Sequence, residues 1–383
     1  MDHQGLRCRS YGIAKLIRVT VKKKKRRNRL VRSALCLLSF RYTLIVLQDG
    51  RRQKKFVLMS LSSQYRSLQV VVIGSYNTDL VIWCDAIPTK GQSIQGGDFE
   101  MFSGGRGANC AVAAARCGCQ VKFVGAHGPD TFGKLAVERL ARESIDISDF
   151  IELPSSKTGV AMIFQERKTA AHAALVSTSA NNQFSPVLVR KVESAIRKSD
   201  LVFTQFEISP SVLLEIYRLC QHHGKRLVVH AAPVQQPVQF PVGSYYLVVA
   251  DDFEALLLAG CDDLDSSIRE LHHRGVQNVI IKQQHHWLIF SDGKKCGIQA
   301  VPAAPFVQDA GSVECLTTWA GITLVSSGDL AYATYVGAQA LAFSFSQHGA
   351  EDSMPYPSEL SIDPSLPISA LSHSPHLGQA NGR

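Results

Sequence analysis

Between Gln69 and Lys282 two kinds of apolar pattern take turns along the chain, and their alternation points to a fold class. Short β-branched runs with little polar interruption predict buried strands: Gln69-Val-Val-Val-Ile-Gly74, Val121-Lys-Phe-Val-Gly125, Asp200-Leu-Val-Phe203, Arg226-Leu-Val-Val229, and residues 246–250 and 278–282. Helical spacing separates them. Residues 108–117 are dense in small helix formers and stop at Gly118, a good C-terminal cap, while 132–142 place Phe132, Leu135, Ala136, Val137 and Leu140 at core spacing. Residues 212–222, 251–259 and 268–274 read the same way. Strands alternating with helices predict an α/β fold whose mostly parallel sheet is covered on both faces. Two stretches break the rhythm, 79–103 and 158–180, where strand-like segments lack crossover helices; they predict a small sheet projecting from the main one.

Charge divides the chain differently. Residues 1–58 hold 17 Lys and Arg against Asp2 and Asp49, a net +15, leaving 24 of the 41 basic and 30 of the 32 acidic groups for residues 59–383, a net −6. The excess of base belongs to the extension, so the body is not read as a nucleic-acid binder. For the extension three readings stay open. The run Lys22-Lys-Lys-Lys-Arg-Arg-Asn-Arg29 suits a basic binding arm, and the short apolar run 33–40 imitates a targeting signal. Alternatively translation starts at Met59, about ten residues before the first clear strand, and 1–58 is a start-site artefact or disordered.

Arg41 splits the apolar runs 33–40 and 42–47, well short of the roughly 20 residues a spanning helix needs, so no membrane segment is expected. The ten cysteines include no CxxC and form no disulfide framework, which favours a reducing cytoplasm. From Gln347 to Arg383 the chain is rich in Ser, Pro and His without periodicity and reads as a disordered tail.

Ser103-Gly-Gly-Arg-Gly-Ala-Asn109 opens a predicted helix, where bare amides can bond an anion or sugar hydroxyls; alone, the glycines equally fit a structural turn. Gly74-Ser-Tyr-Asn-Thr-Asp-Leu80 directly follows the first strand, where a parallel sheet opens its ligand crevice. There Asn77 and Asp79 are two residues apart and can bond paired hydroxyls.

Together with Val124-Gly-Ala-His-Gly-Pro-Asp-Thr-Phe-Gly133, these segments resemble the ribokinase family of carbohydrate kinases, over roughly residues 70–345. The resemblance implies a three-layer α/β/α sandwich over 59–346, with a small β-sheet lid that often also makes a homodimer contact. It implies ATP-dependent phosphorylation of a hydroxyl on a pentose-like sugar, with Mg²⁺ and a monovalent cation. Carried over, the sugar positions are Asn77, Asp79, Gly105, Arg106 (usually Lys in the family), Asn109 and Glu207.

The phosphoryl-transfer half departs from the family. Its Asp-Thr-x-Gly-Ala-Gly-Asp segment is here Asp309-Ala-Gly-Ser-Val-Glu-Cys315, which keeps Asp309, the monovalent-cation position, but sets Cys315 where the base Asp belongs. A thiol, with an ordinary pKa of about 8.5, is a poor carboxylate substitute. Glu314 could take over if the backbone turned by one residue. At the nucleotide positions, the Asn-Glu-x-x-Glu segment is Asp251-Asp-Phe-Glu254, the Thr-x-Gly-x-x-Gly strand end is Lys282-Gln-Gln-His-His-Trp287, and Asn-Pro-Ala-Pro is His230-Ala-Ala-Pro233. His285 and His286 are read as strand neighbours on opposite faces rather than a metal pair. Two functions follow: a sugar kinase with impaired transfer, or a catalytically silent sugar-binding relative.

Overall fold

The computed structural model describes residues 65–167, 172–234 and 243–362, with four short strands of the N-terminal segment. The chain divides into two compact units, Met1–Gln64 and Tyr65–Arg383. In the first, Leu37–Ser39 pairs antiparallel with Tyr42–Leu44, and Gln48–Asp49 with Arg52–Gln53. The basic run at 22–29, Met59 and residues 363–383 lie outside the described residues.

In the second unit the strands are, in chain order, β1 (Gln69–Ile73), β2 (Asn77–Cys84), β3 (Phe99–Gly104), β4 (Gln120–His127), β5 (Asp146–Glu152), β6 (Gly159–Glu166) and β7 (His172–Ser177). They continue as β8 (Leu201–Gln205), β9 (Arg226–His230), β10 (Leu247–Asp251), β11 (Val279–Gln283), β12 (Trp287–Ser291) and β13 (Cys296–Ala300). Nine of them form one sheet in the order β13-β12-β11-β10-β9-β8-β1-β4-β5. From β11 to β5 every neighbour is parallel; β12 alone is reversed, pairing antiparallel with both β11 and β13. Every predicted strand is present, because each β-branched run is buried on both faces.

The helices are α1 (Arg106–Cys117), α2 (Thr131–Arg142), α3 (Ala180–Gln183), α4 (Pro186–Lys191), α5 (Glu193–Lys198), α6 (Pro210–His222), α7 (Asp252–Ala259), α8 (Leu264–His273), α9 (Ser312–Ser327) and α10 (Leu330–Phe345). One face of the sheet packs Val71, Val202, Val229 and Ile281 against Ile196, Ile216, Leu258 and Leu271 of α5 to α8. On the opposite face α9 lies so close that a Cβ on Gly321 would stand 3.0 Å from the Phe203 ring. The result is helix, sheet and helix, the three layers expected.

The two interruptions form a separate four-stranded sheet, β7-β6-β2-β3. Only three residues lie between the end of β1 and the start of β2, so the small sheet grows directly out of the main one. Its register sets Gly104 and Gly159 opposite Asn77, and Phe102 and Ala161 opposite Asp79. Small partners at three of these four positions leave room over the two polar side chains.

The C-terminal expectation needs correcting over 347–362. Ala350 and Met354 are buried, Ser353 bonds Ser344 at 2.8 Å, and Arg116 Nη1 donates to the carbonyls of Glu351 (3.1 Å) and Met354 (2.8 Å). A polar composition hid a segment whose few apolar side chains reach the body. His285 and His286 also differ from expectation, lying in the turn between β11 and β12 rather than on a strand.

Candidate functional site

The crevice lies where the small sheet leaves the main one. Asn77 and Asp79 project from the same face of β2, since strand side chains alternate. Asn77 is buried and its Oδ1 accepts from Asn181 Nδ2 at 2.9 Å. Asp79 packs onto Gly104, where any Cβ would come within 2.2 Å of its carboxylate. Burial, reinforced by the carboxylates of Glu207, Glu314 and Glu351, pushes Asp79 up to about 7.

Gly105 turns the chain from β3 into α1 at φ 91°, and a Cβ there would strike Asn77 N at 2.5 Å. Directly after it, Arg106 N donates to Glu207 Oε2 at 3.1 Å, and Ser75 Oγ donates to the same oxygen in a very short bond. Glu207 therefore ties the first turn of α1 to the end of β1. Asn109, one turn on, is buried with its Oδ1 unpartnered among the described residues.

Helix α9 decides which residue of the 309–315 segment faces this crevice. Gly311 enters the helix at φ 79°, which makes Glu314 its third residue and Cys315 its fourth. Successive helical residues point about 100° apart. Glu314 consequently projects into the crevice, with Oε1 3.1 Å from Arg106 Nη1 and 3.2 Å from His230 Nδ1. Cys315 points the other way, fully buried, with Sγ 3.5 Å from the Ala340 carbonyl of α10. Burial pushes the Cys315 thiol far up, leaving it inert. For Glu314, burial acts upward, but the facing His230 and Arg106 outweigh it and hold the carboxyl down to about 2. It is ionised across the neutral range.

The other end of the crevice carries the positions that resemblance links to a nucleotide. Asp251 caps α7, accepting from Glu254 N at 2.7 Å while Glu254 Oε2 accepts from Asp251 N at 3.2 Å. Glu254 is buried rather than exposed, and burial raises its pKa. Lys282 turns away to Asp309, with Nζ 2.7 Å from Oδ2. Gln284 sits at φ 52°, the left-handed region, where the family carries its first glycine. His285 packs at a tilt on Phe306 at 4.6 Å and edge-on to Phe345 at 5.3 Å, and Trp287, at the start of β12, is half exposed.

Sequence reasoning overlooked Ser75, Asn181 and Gln205 as site residues, and placed His230 with the nucleotide rather than beside Glu314. With its amide oriented to donate to Ile73 O at 3.2 Å, Gln205 accepts from the amides of Ser75 and Gly107, both at 2.9 Å. The signal for Gln205 was its place two residues before Glu207; Asn181 carried none, lying outside any motif.

Among the described residues no helix is long and apolar enough to cross a membrane. The sequence profile of the pfkB family of carbohydrate kinases matches residues 67–311. The Haemophilus influenzae ribokinase is 30% identical over 217 residues, 55% of this chain and 71% of its own. The Bacillus subtilis ribokinase is 27% identical over 293 residues, 76% of this chain and 97% of its own. The solved structure of Arabidopsis thaliana ribokinase complexed with ribose and ATP matches with a TM-score of 0.70 at 21% identity, covering 76% of this chain and 97% of that one. Ribokinase from Thermotoga maritima gives 0.69 at 22% identity, over 79% and 99%. With the family profile spanning well over half of its length and ribokinases among its homologues, the chain belongs to the pfkB family of ribokinase-like carbohydrate kinases.

Proposed function

We propose that the chain phosphorylates a hydroxyl of a pentose-like sugar at the expense of ATP, with Glu314 as the proton acceptor. The observation that carries this reading is the direction of α9: a carboxylate, not a thiol, stands over the crevice. Asp79, Glu207 and Asn77 accept from sugar hydroxyls, and Arg106 and Asn109 donate to ring or hydroxyl oxygens. Glu314 takes the proton of the attacking hydroxyl as its oxygen bonds to the γ-phosphorus and the bond to the bridging oxygen of ADP breaks. Transfer of this kind rests mainly on positioning and charge stabilisation, which α9's first-turn amides can provide. ATP supplies the phosphoryl group. Asp251 and Glu254 offer carboxylate oxygens of the kind Mg²⁺ takes, and would hold it beside the phosphates.

A homodimer through the small sheet fits its outer face, where the register lines up Met101, Leu80, Met162 and Leu175 across all four strands. Met162 and Leu175 are exposed. A reducing compartment suits the buried free thiols of Cys110, Cys117, Cys220 and Cys315.

The test is coupled ADP release with a panel of pentoses, beside calorimetric titration of the same sugars. Sugar-dependent ADP formation is expected from the parent and from Cys315→Ala, with a loss of about 10²- to 10⁴-fold in Glu314→Gln. Sugar binding without ADP formation in the parent would leave a binding protein only. Activity lost in Cys315→Ala but kept in Glu314→Gln would overturn the assignment of the base.

A further inference from the structure

The ribokinase resemblance carries a monovalent cation to Asp309, and the residues present do not fit one. Both carboxylate oxygens are already engaged. Oδ1 accepts from Ser312 Oγ in a very short bond, and Oδ2 lies 2.7 Å from Lys282 Nζ. Lys282 is only 6% exposed, an uncommon setting for an ammonium unless it is paired. Its approach is guided from several sides: the Phe345 ring centroid lies 5.8 Å from Nζ, and His285, edge-on to the same ring, brings Nδ1 within 4.0 Å of the same Asp309 oxygen. The loop carrying Asp309 is pinned as well, since the Phe345 carbonyl accepts from Val307 N at 2.7 Å and Gln308 N at 3.4 Å. A metal cation at Asp309 would meet a fixed positive charge at ion-pair distance from its main anionic ligand.

We propose that Lys282 is a tethered replacement for the monovalent cation. Its ammonium, close to potassium in size and equal in charge, neutralises Asp309. Through the Asp309–Ser312 bond it holds the start of α9, and so the direction of Glu314, without a free ion. The chain should therefore neither bind K⁺ at this position nor respond to it. The inference rests on the family reading of Asp309, but its test does not depend on phosphoryl transfer.

Thermal unfolding is followed in KCl, NaCl and choline chloride at equal ionic strength. The full chain should melt at one temperature in all three. In Lys282→Ala, Asp309 loses its counter-charge and space opens beside it; the midpoint should fall in choline chloride and recover by about 2 to 4 °C, saturably, as K⁺ replaces choline. Adding Asp309→Asn to that variant should abolish the recovery. If Lys282→Ala does not fold in choline chloride, K⁺-dependent recovery of its folded circular dichroism replaces the midpoint as the readout. A saturable K⁺-specific rise in the parent would overturn the proposal, and so would a Lys282→Ala protein equally stable, or equally unfolded, in KCl and choline chloride. ADP formation that fails altogether would count against the proposed function and leave these melting results standing.

Discussion

The Glu314 carboxylate and the Arg106 guanidinium meet at 3.1 Å from positions 208 residues apart. The contact joins the first turns of α1 and α9, the two helices that frame the crevice. It also makes stability depend on pH in a defined direction. Glu314 is held down to about 2 in the folded protein, against 4.5 for an ordinary glutamate. A depressed carboxyl stabilises the fold above its unfolded pKa, and that contribution fades as pH falls from about 4.5 towards 2. Glu314→Gln should flatten this part of the acid unfolding curve and cost about 3 kcal/mol at pH 7, by removing the carboxylate that contacts Arg106. Chemical denaturation at pH 7 and pH 3 measures both effects.

Cys315→Asp, the substitution that matching by position recommends, should harm rather than help. The new carboxylate would be buried against the Ala340 carbonyl, with no cation in contact. A loss of about 3 to 5 kcal/mol and no gain in ADP formation are expected. Improved turnover from this variant would show that α9 can rotate by one residue.

The strands, the glycine-rich helix start and the Asn77–Asp79 pair were legible because each depends on local pattern: β-branched runs, a positive φ at Gly105, alternation along β2. Which of Glu314 and Cys315, both named as candidates, faces the crevice was not legible for the same reason. Counting residues from Asp309 leads to Cys315, but α9 begins only after Gly311, and where a helix begins depends on what packs around it; a Cβ on Gly311 would strike the Ala350 carbonyl at 2.7 Å. Residue 350 lies in the segment that composition marks as tail. Lys282 was likewise opaque, since its partner lies 27 residues away.

Sugar affinity should rise with pH. Burial and neighbouring carboxylates raise Asp79 to about 7, and the ionised form is the better acceptor of hydroxyl protons. Titrations at pH 6 and pH 8 should differ by up to about tenfold. Asp79→Asn should lose both the affinity and its pH dependence. The same variant should be more stable than the parent at pH 8: a raised carboxyl stabilises fully below its unfolded pKa, and that contribution is lost as pH rises through about 7.

Gly104→Ala tests the space over Asp79. The added methyl would come within 2.2 Å of the carboxylate and push it from the crevice. Affinity should drop by at least about tenfold, with stability lowered by roughly 1 to 3 kcal/mol through overpacking. Unchanged affinity would remove Asp79 from the site.

Arg116 tests the C-terminal strap. Arg116→Ala removes donors to two carbonyls and the 5.2 Å contact with the Tyr356 ring, and should lower the melting midpoint by about 2 to 6 °C. Ending the chain after residue 346 should cost more, since Ala350 and Met354 leave the core.

Only Gly74, Ser75 and Tyr76 separate the last residue of β1 from the first of β2. Asn77 and Asp79 thus ride on the small sheet, while Arg106 and Glu314 are carried by α1 and α9 and Glu207 by the loop after β8. On the proposed function, a rotation about those three residues would pull the two groups apart, and the complete sugar site would exist in a single position of the small sheet. Sugar affinity and the population of that position are then one equilibrium: a substitution far from the crevice that favours the open position weakens binding by the fraction of molecules it withdraws, without touching a single sugar contact.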